Sequence, residues 1–201
     1  MTIPLLKRGF TVCAIEPNDA MRANGIRRTA QFENVRWFEG VGEHTNQPAD
    51  HFDLVTFGSS FSVTNQQEAL QETHRILKSG GHFACLWNHR DLSDHIQQSI
   101  ENIIKTYVKD YDYGSRRADQ TPIIEASGLF DDIQQFSGRV IHSVSVKDTV
   151  EAWHSHGTLF RQAGDKFETI ISEIENMLNA LHTDFIDVPY ETNGWVARAM
   201  K

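Results

Sequence analysis

Apolar residues follow two alternating rhythms along this 201-residue chain: short unbroken runs, and longer stretches with helical spacing. Thr11–Ile15, Val35–Glu39, Leu54–Phe57 and His82–Trp87 are each too short for a helix and read as strands. The first, Thr-Val-Cys-Ala-Ile, suits burial on both faces, and Asn18 or Asp19 just beyond it can cap a following helix. Ala69, Leu70, Ile76 and Leu77 predict a helix over Asn65–Lys78, with Ser79-Gly80-Gly81 supplying the left-handed residue that ends it. Ile96, Ile100, Ile103, Ile104 and Tyr107 predict a second amphipathic helix over Ser93–Tyr107 whose apolar face covers the sheet. Tyr111–Gln120 is polar and reads as a loop, and Thr121–Gly128 as a short helix. Phe130–Val146 reads as a strand region and Phe185–Arg198 as the last strand. Between those two, Ile170, Ile171, Ile174, Met177, Leu178 and Leu181 mark one side of a helix over Phe167–Leu181. Strands alternating with helices are the signature of a parallel sheet covered by helices, so the expected class is α/β. Neither a repeat nor a linker interrupts the pattern, and a single domain over 1–201 is expected.

Composition narrows the function classes. Hydrophobic residues make up 39% and charged residues 23%, which fits neither a disordered nor a fibrous chain. A net charge of −8 argues against a nucleic-acid partner held by phosphate neutralisation, and Arg27-Arg28 and Arg116-Arg117 are too short to form a basic patch. No apolar run approaches the roughly 20 residues that span a bilayer, and the first ten residues lack the core of a signal peptide. No membrane partner is therefore expected, and the expected location is the cytoplasm. Cys13 and Cys85 each lie inside an apolar run, which excludes a disulfide framework. Two histidines two apart in Trp153-His154-Ser155-His156, without a third ligand cluster, make a poor metal site, and no metal is expected.

Four segments carry a more specific signal: RGFTVCAIEPNDAM at 8–21, VRWFEGVGE at 35–43, FDLVTFGSSFSVTNQQEAL at 52–70 and THRILKSGGHFACLWNHRD at 73–91. A carboxylate just past the end of a parallel strand points into the crevice where nucleosides bind, and Glu16 stands at such a place. In order and spacing the four segments resemble the class I, Rossmann-like methyltransferases of the small-molecule type, which use S-adenosylmethionine. The resemblance implies a sheet with helices on both faces and S-adenosylmethionine as cofactor. Glu16 would accept hydrogen bonds from both ribose hydroxyls, with Pro17, Asn18 and Met21 lining the adenine side. Val41, with Gly42 beside it, stands where the family usually has an acid that reads the adenine amino group; a valine can pack on the base but cannot accept its proton. Gly58 and Ser59 would bring backbone close to the methionine part of the cofactor. Ser62 stands where many relatives have a histidine.

Beyond the cofactor, the resemblance implies a substrate side at Ser60, Phe61, Trp87, Trp153 and Arg161, the last two on a lid at about 147–183 before the final strand. His89, past the fifth strand of the family's order, is the best-placed proton acceptor and the candidate catalytic residue. In the family a strand and a glycine-rich loop precede the strand that ends in Glu16; here Thr2–Gly9 resembles only the tail of the helix after that loop. The expected sheet is thus N-terminally truncated, with first strand and loop absent. Its gap would be closed either by Thr11–Ile15 pairing directly with Leu54–Phe57 or by another chain, a homo-oligomer being favoured. Two functions follow: a methyltransferase acting on a small-molecule acceptor, or a methyltransferase-like binding or assembly protein that no longer transfers methyl groups.

Overall fold

The computed structural model describes residues Met1–Lys201. In chain order the elements are α1 (Thr2–Lys7), β1 (Val12–Ile15), α2 (Asp19–Arg28), β2 (Val35–Phe38), β3 (Phe52–Gly58), α3 (Gln66–Ile76) and β4 (Leu77–Arg90). There follow α4 (His95–Tyr107), α5 (Thr121–Ser127), β5 (Phe130–Ser145), α6 (Val146–His154), α7 (Gly157–Ala163), α8 (Phe167–Asn179) and β6 (Phe185–Ala199). The α/β pattern read from the sequence is present throughout. The chain divides into two compact units: Met1–Trp87, Asp119–Phe136 and Gly194–Lys201 form the first, Asn88–Ala118 and Ser137–Asn193 the second. The segment at 147–183 forms α6, α7 and α8 and lies wholly in the second. No helix is long and apolar enough to cross a membrane.

The first unit is built on parallel pairs. β1 runs beside β2, Val12 opposite Val35 and Ile15 opposite Phe38, and β3 runs beside β4, Leu54 opposite His82 and Gly58 opposite Leu86. Its core gathers Phe57, Phe61, Leu70, Phe83, Cys85, Trp87, Ile124, Phe130 and Trp195. Burial pushes the Cys85 thiol up to about 12, and neither cysteine is in a disulfide. Asn18 caps α2, its side-chain oxygen accepting from the Met21 N–H at 3.0 Å, and Asn65 caps α3 in the same way through Glu68. The sequence places the end of α3 at Ser79-Gly80-Gly81, but the helix stops at Ile76 and Leu77 is already extended. The cause is long-range: the Asp50 and His51 N–H groups donate to the Arg75 and Ile76 carbonyls, satisfying the helix end without a left-handed cap. Gly80 keeps its positive φ of 70°, now within β4.

Direct closure of β1 onto β3 does not occur. β1 pairs only with β2, and the other sheet has the order β3-β4-β6-β5. The expectation of direct pairing assumed buried edges, where each unpaired backbone group costs about 1 kcal/mol or more. Val12, Cys13 and Ile15 of β1 and Leu54, Val55 and Thr56 of β3 are instead half-buried and Gly58 is exposed, so these edges reach water, which meets much of that cost.

The second unit is mainly helical. Asp94 caps α4 by accepting from Ile96 and Gln97, and Ile96, Ile100 and Ile104 are buried against α8 through Ile170, Ile171, Ile174 and Leu178. α4 thus packs chiefly on another helix, where the sequence suggested a sheet beneath it. Leu181, assigned to the apolar side of α8, lies past the helix end and is 39% exposed.

Gly25 in α2 shows how tightly the first unit packs. A Cβ there would meet the Trp37 ring at 2.2 Å, and that ring is fixed by its N–H donating to the Thr29 hydroxyl at 3.0 Å. Gly25→Ala should therefore destabilise the protein by about 1–3 kcal/mol, although alanine is the better helix former by about 1 kcal/mol. Urea denaturation measures this, and a stabilised variant would contradict the packing described.

Candidate functional site

In the first unit the carboxyl ends of β1 and β3 meet one tight turn. A Cβ on Gly40 would lie 2.9 Å from the Ile15 side chain, and one on Gly42 would lie 2.9 Å from the Phe57 ring. Gly40 and Gly42, two residues apart, span at most about 7 Å. Val41, between them, pairs with His44 in a short antiparallel bridge and leaves its side chain 43% exposed. Glu72, buried on α3, holds the loop behind the turn, accepting from the Thr45 N–H at 2.9 Å and from Arg75 at 2.7 Å. Burial alone would raise its carboxyl, but the Arg75 and Thr45 hydrogen bonds prevail and hold it at about 2.

Glu16 follows β1 directly and is half-buried. One carboxylate oxygen accepts from the Asn18 N–H at 2.9 Å, so Glu16 helps start α2 and keeps its second oxygen for another donor. Pro17 and Asn18 are exposed, and Met21 is 63% exposed. Glu16, Met21 and Val41 thus place a carboxylate and two exposed apolar side chains around one strand end. At the end of β3, Gly58 is exposed, and Ser59 adopts a φ of 60° while its N–H donates to the Leu86 carbonyl at 2.8 Å. A non-glycine residue in that region is strained, a feature that clusters at ligand clamps. Ser60 is half-buried. Phe61 and Trp87 are not surface-lining: Phe61 is fully buried against Phe57 and Phe83, and Trp87 is buried edge-on to Trp195.

The second unit holds His89, Trp153 and Arg161. His89 is 8% exposed, and burial together with the charges of Arg117 and Arg116 pushes its imidazole down to about 4. His156 is lowered to about 4 as well, by burial and then by Arg90, Arg116 and Arg161. The Arg90 guanidinium lies 4.3 Å over the buried Trp153 ring, and Arg117 lies 4.5 Å over the Tyr113 ring. Arg161 is exposed on α7 and reaches the Thr158 hydroxyl at 3.5 Å. Each unit also has a cavity lined by residues outside these groups: about 240 Å³ beside Glu43, Gln71 and Arg75 in the first, and about 420 Å³ beside Asp94, Leu181 and Asp187 in the second.

Residues 1–85 match the family model described as a methyltransferase domain. Over those residues the chain is similar to the methyltransferase-domain family. Over 150 residues it is 29% identical to the ubiquinone/menaquinone biosynthesis C-methyltransferase of Zymomonas mobilis, covering 68% of this chain and 58% of that protein. It is 34% identical over 79 residues to the mitochondrial 2-methoxy-6-polyprenyl-1,4-benzoquinol methylase of Xenopus laevis, covering 37% of this chain and 25% of that one. The chain thus spans well under two thirds of the length of these relatives. Among solved structures it is similar in fold to the YcgJ protein of Bacillus subtilis, with a TM-score of 0.53 at 15% identity, over 94% of this chain and 82% of that one. It is also similar to phosphoethanolamine N-methyltransferase 2 of Haemonchus contortus, with a TM-score of 0.54 at 14% identity, over all of this chain and 46% of that one.

The match to the methyltransferase domain lies within the first unit and includes Glu16, the Gly40–Gly42 turn and the end of β3. Two features escaped the sequence reading. Gly40 and Gly42 serve close packing against Ile15 and Phe57, which a lone glycine pair does not signal. Arg90, Arg116 and Arg117, apart in sequence, surround the histidines of the second unit, a grouping no motif announces.

The two imidazoles predict a pH dependence. Each is depressed from 6.5 to about 4 in the folded chain, so between those values the unfolded chain binds more protons than the folded one. Stability should therefore fall as pH drops from about 6.5 to 4, by at most about 1.4 kcal/mol per pH unit for each histidine. NMR of the imidazole protons checks the cause: both rings should remain neutral at pH 5.5. A midpoint near 6.5 for either would refute its burial.

Proposed function

We propose that the chain binds S-adenosylmethionine at the carboxyl ends of β1 and β3 and transfers its methyl group to a small-molecule acceptor. The supporting observation is the placement of Glu16: a half-buried carboxylate with one oxygen uncommitted, at the end of a parallel strand and beside exposed Met21 and Val41. The residues present fit the cofactor's chemistry. Glu16 accepts from the ribose hydroxyls, and Pro17, Asn18, Met21, Val41 and Gly42 offer the base an apolar and backbone surface without an acid to read its amino group. Gly58 and Ser59 give a backbone approach for the amino-acid end. When bound, the cofactor supplies an electrophilic methyl on a positively charged sulfur. Transfer then depends mainly on in-line positioning of the acceptor. Ser60 at the end of β3 belongs to the acceptor side of this reading, with Phe61 and Trp87 supporting the strand ends from the core.

The relatives named as quinone-biosynthesis methyltransferases support an acceptor of small, ring-containing type, and the unpaired edges of β1 and β3 support association of the chain with a second copy.

Titration calorimetry with S-adenosylhomocysteine tests the donor site: a dissociation constant in the micromolar range is expected, weakened by about 1–3 kcal/mol in Glu16→Ala. Absence of heat at millimolar ligand favours the non-transferring, methyltransferase-like alternative. Light scattering on a sizing column should give twice the monomer mass, and a monomer removes the self-association.

A further inference from the structure

We infer that the second unit carries a binding site for the oxyanion of a small acidic molecule, a carboxylate or a phosphate, built from Arg90, Arg116, Arg117 and Arg161 beside Trp153 and His156. The chain as a whole is acidic, with 27 acidic against 19 basic residues, yet Arg116 and Arg117 lie 5.8 and 4.5 Å from the Tyr113 ring centre and Arg90, bonded to Arg117 through its carbonyl, lies 4.3 Å over Trp153 beside His156. Arg90, Arg116 and Arg161 act on His156, while Arg116 and Arg117 act on His89. None of the four has a carboxylate oxygen within 4.0 Å, whereas Arg75 and Arg198 elsewhere are paired with Glu72 and Asp131. Two acids of the same unit have other partners. Asp91, within electrostatic reach of Arg117, accepts from the Ser93 N–H at 2.9 Å and from its hydroxyl at 2.7 Å. Glu101 accepts from the Tyr113 hydroxyl at 2.6 Å and pairs with Lys105 at 3.2 Å.

Like charges drawn together repel, and this group is held by other means. Arg90 is stacked on Trp153, and Arg117 on Tyr113, with an Arg117 N–H donating to the Arg90 carbonyl at 3.1 Å. Among the other polar groups here, the buried Tyr111 hydroxyl, within electrostatic reach of Arg90 and Arg116, has no partner and can donate or accept. The Trp153 N–H is buried in a residue 2% exposed and has no partner, and the His156 ring lies 4.9 Å from the Trp153 ring. His156 Nδ1 accepts from the Leu159 N–H at 3.2 Å, so in the neutral ring Nε2 carries the proton. Four cationic forks, an unpartnered indole N–H and an imidazole N–H outnumber the neutral acceptors among them, which are the Tyr113 and Arg90 carbonyls and the Tyr111 hydroxyl. An oxyanion supplies the missing acceptor and the missing negative charge, and guanidiniums match its geometry in pairs. As the anchor of a methyl acceptor the site rests on the proposed function; as an anion site it does not, and its test involves neither methyl donor nor turnover.

Inorganic phosphate and succinate, titrated separately into the full chain, are the probes, with heat and the His156 imidazole resonances followed together. At least one should saturate with a dissociation constant below about 10 mM and shift those resonances, and whichever binds more tightly identifies phosphate or carboxylate as the preferred group. Arg116→Gln and Arg161→Gln should each weaken that binding about tenfold, while Arg198→Gln, which breaks an ion pair in the first unit, leaves it unchanged. Saturation by neither anion, with His156 unmoved, overturns the inference. So does equal weakening by Arg198→Gln, which marks a response to overall charge. Should the variants lose their fold by circular dichroism, the His156 response of the unaltered chain decides.

Discussion

The Phe57 ring is the fixed point on which the first unit's candidate site depends. It is buried in β3, with Phe61 at 5.4 Å and Phe83 at 5.8 Å between ring centroids, so two aromatic neighbours hold it in place. Because the ring cannot yield, the chain opposite must come close without a side chain, and Gly42 does so. That approach sets the position of Val41, and Gly40 carries the same turn onto Ile15, the residue before Glu16. A packing requirement in the core is thereby transmitted to a carboxylate and two apolar side chains at the surface. Glu72 holds the turn's far side through Thr45, a buried charge tolerated because its hydrogen-bond partners are complete.

Much of this was legible in the sequence. Short β-rich apolar runs located β1, β2 and β3 to within one or two residues, because runs of that length suit a strand and are too short for a helix. The caps at Asn18 and Asn65 and the position of Glu16 follow from local chemistry in the same way. What escaped was decided at long range. The end of α3 depends on N–H groups of Asp50 and His51, and the roles of Gly40 and Gly42 depend on two strands remote from them in sequence. Phe61 and Trp87 read as surface-lining because an aromatic residue at a strand end looks alike in sequence whether it faces a crevice or the core. Arg116-Arg117 looked negligible as a pair; its weight comes from Arg90 and Arg161, which the fold brings to the same histidines.

The two units handle charge in opposite ways. In the first, Arg75 with Glu72 and Arg198 with Asp131 are matched, so their fields cancel over a few ångströms. In the second, Arg90, Arg116 and Arg117 are stacked on rings or bonded to carbonyls, partners that hold a guanidinium without neutralising it. The uncancelled field falls on His89 and His156, and with burial it keeps both rings uncharged near neutral pH. With its Nδ1 accepting from the Leu159 N–H, the neutral His156 ring keeps an Nε2 N–H to donate.

The separation of β1-β2 from the larger sheet turns on a comparison of costs. Joining the strands directly would satisfy their outward N–H and C=O groups, each bond contributing a net 0.5–1.5 kcal/mol or so, since water already serves them. It would also drag the Gly40–Gly42 turn, which touches both Ile15 and Phe57, out of its close packing, and overpacking or loosening at such contacts costs about 1–3 kcal/mol apiece. For strands as short as Val12–Ile15 the gain involves only a few bonds, whereas the loss also reaches the support of Glu16 and Val41. Hydrated edges are therefore the cheaper arrangement for this chain. They leave two strands with half-exposed edges, and an edge of that kind is open to pairing with another strand.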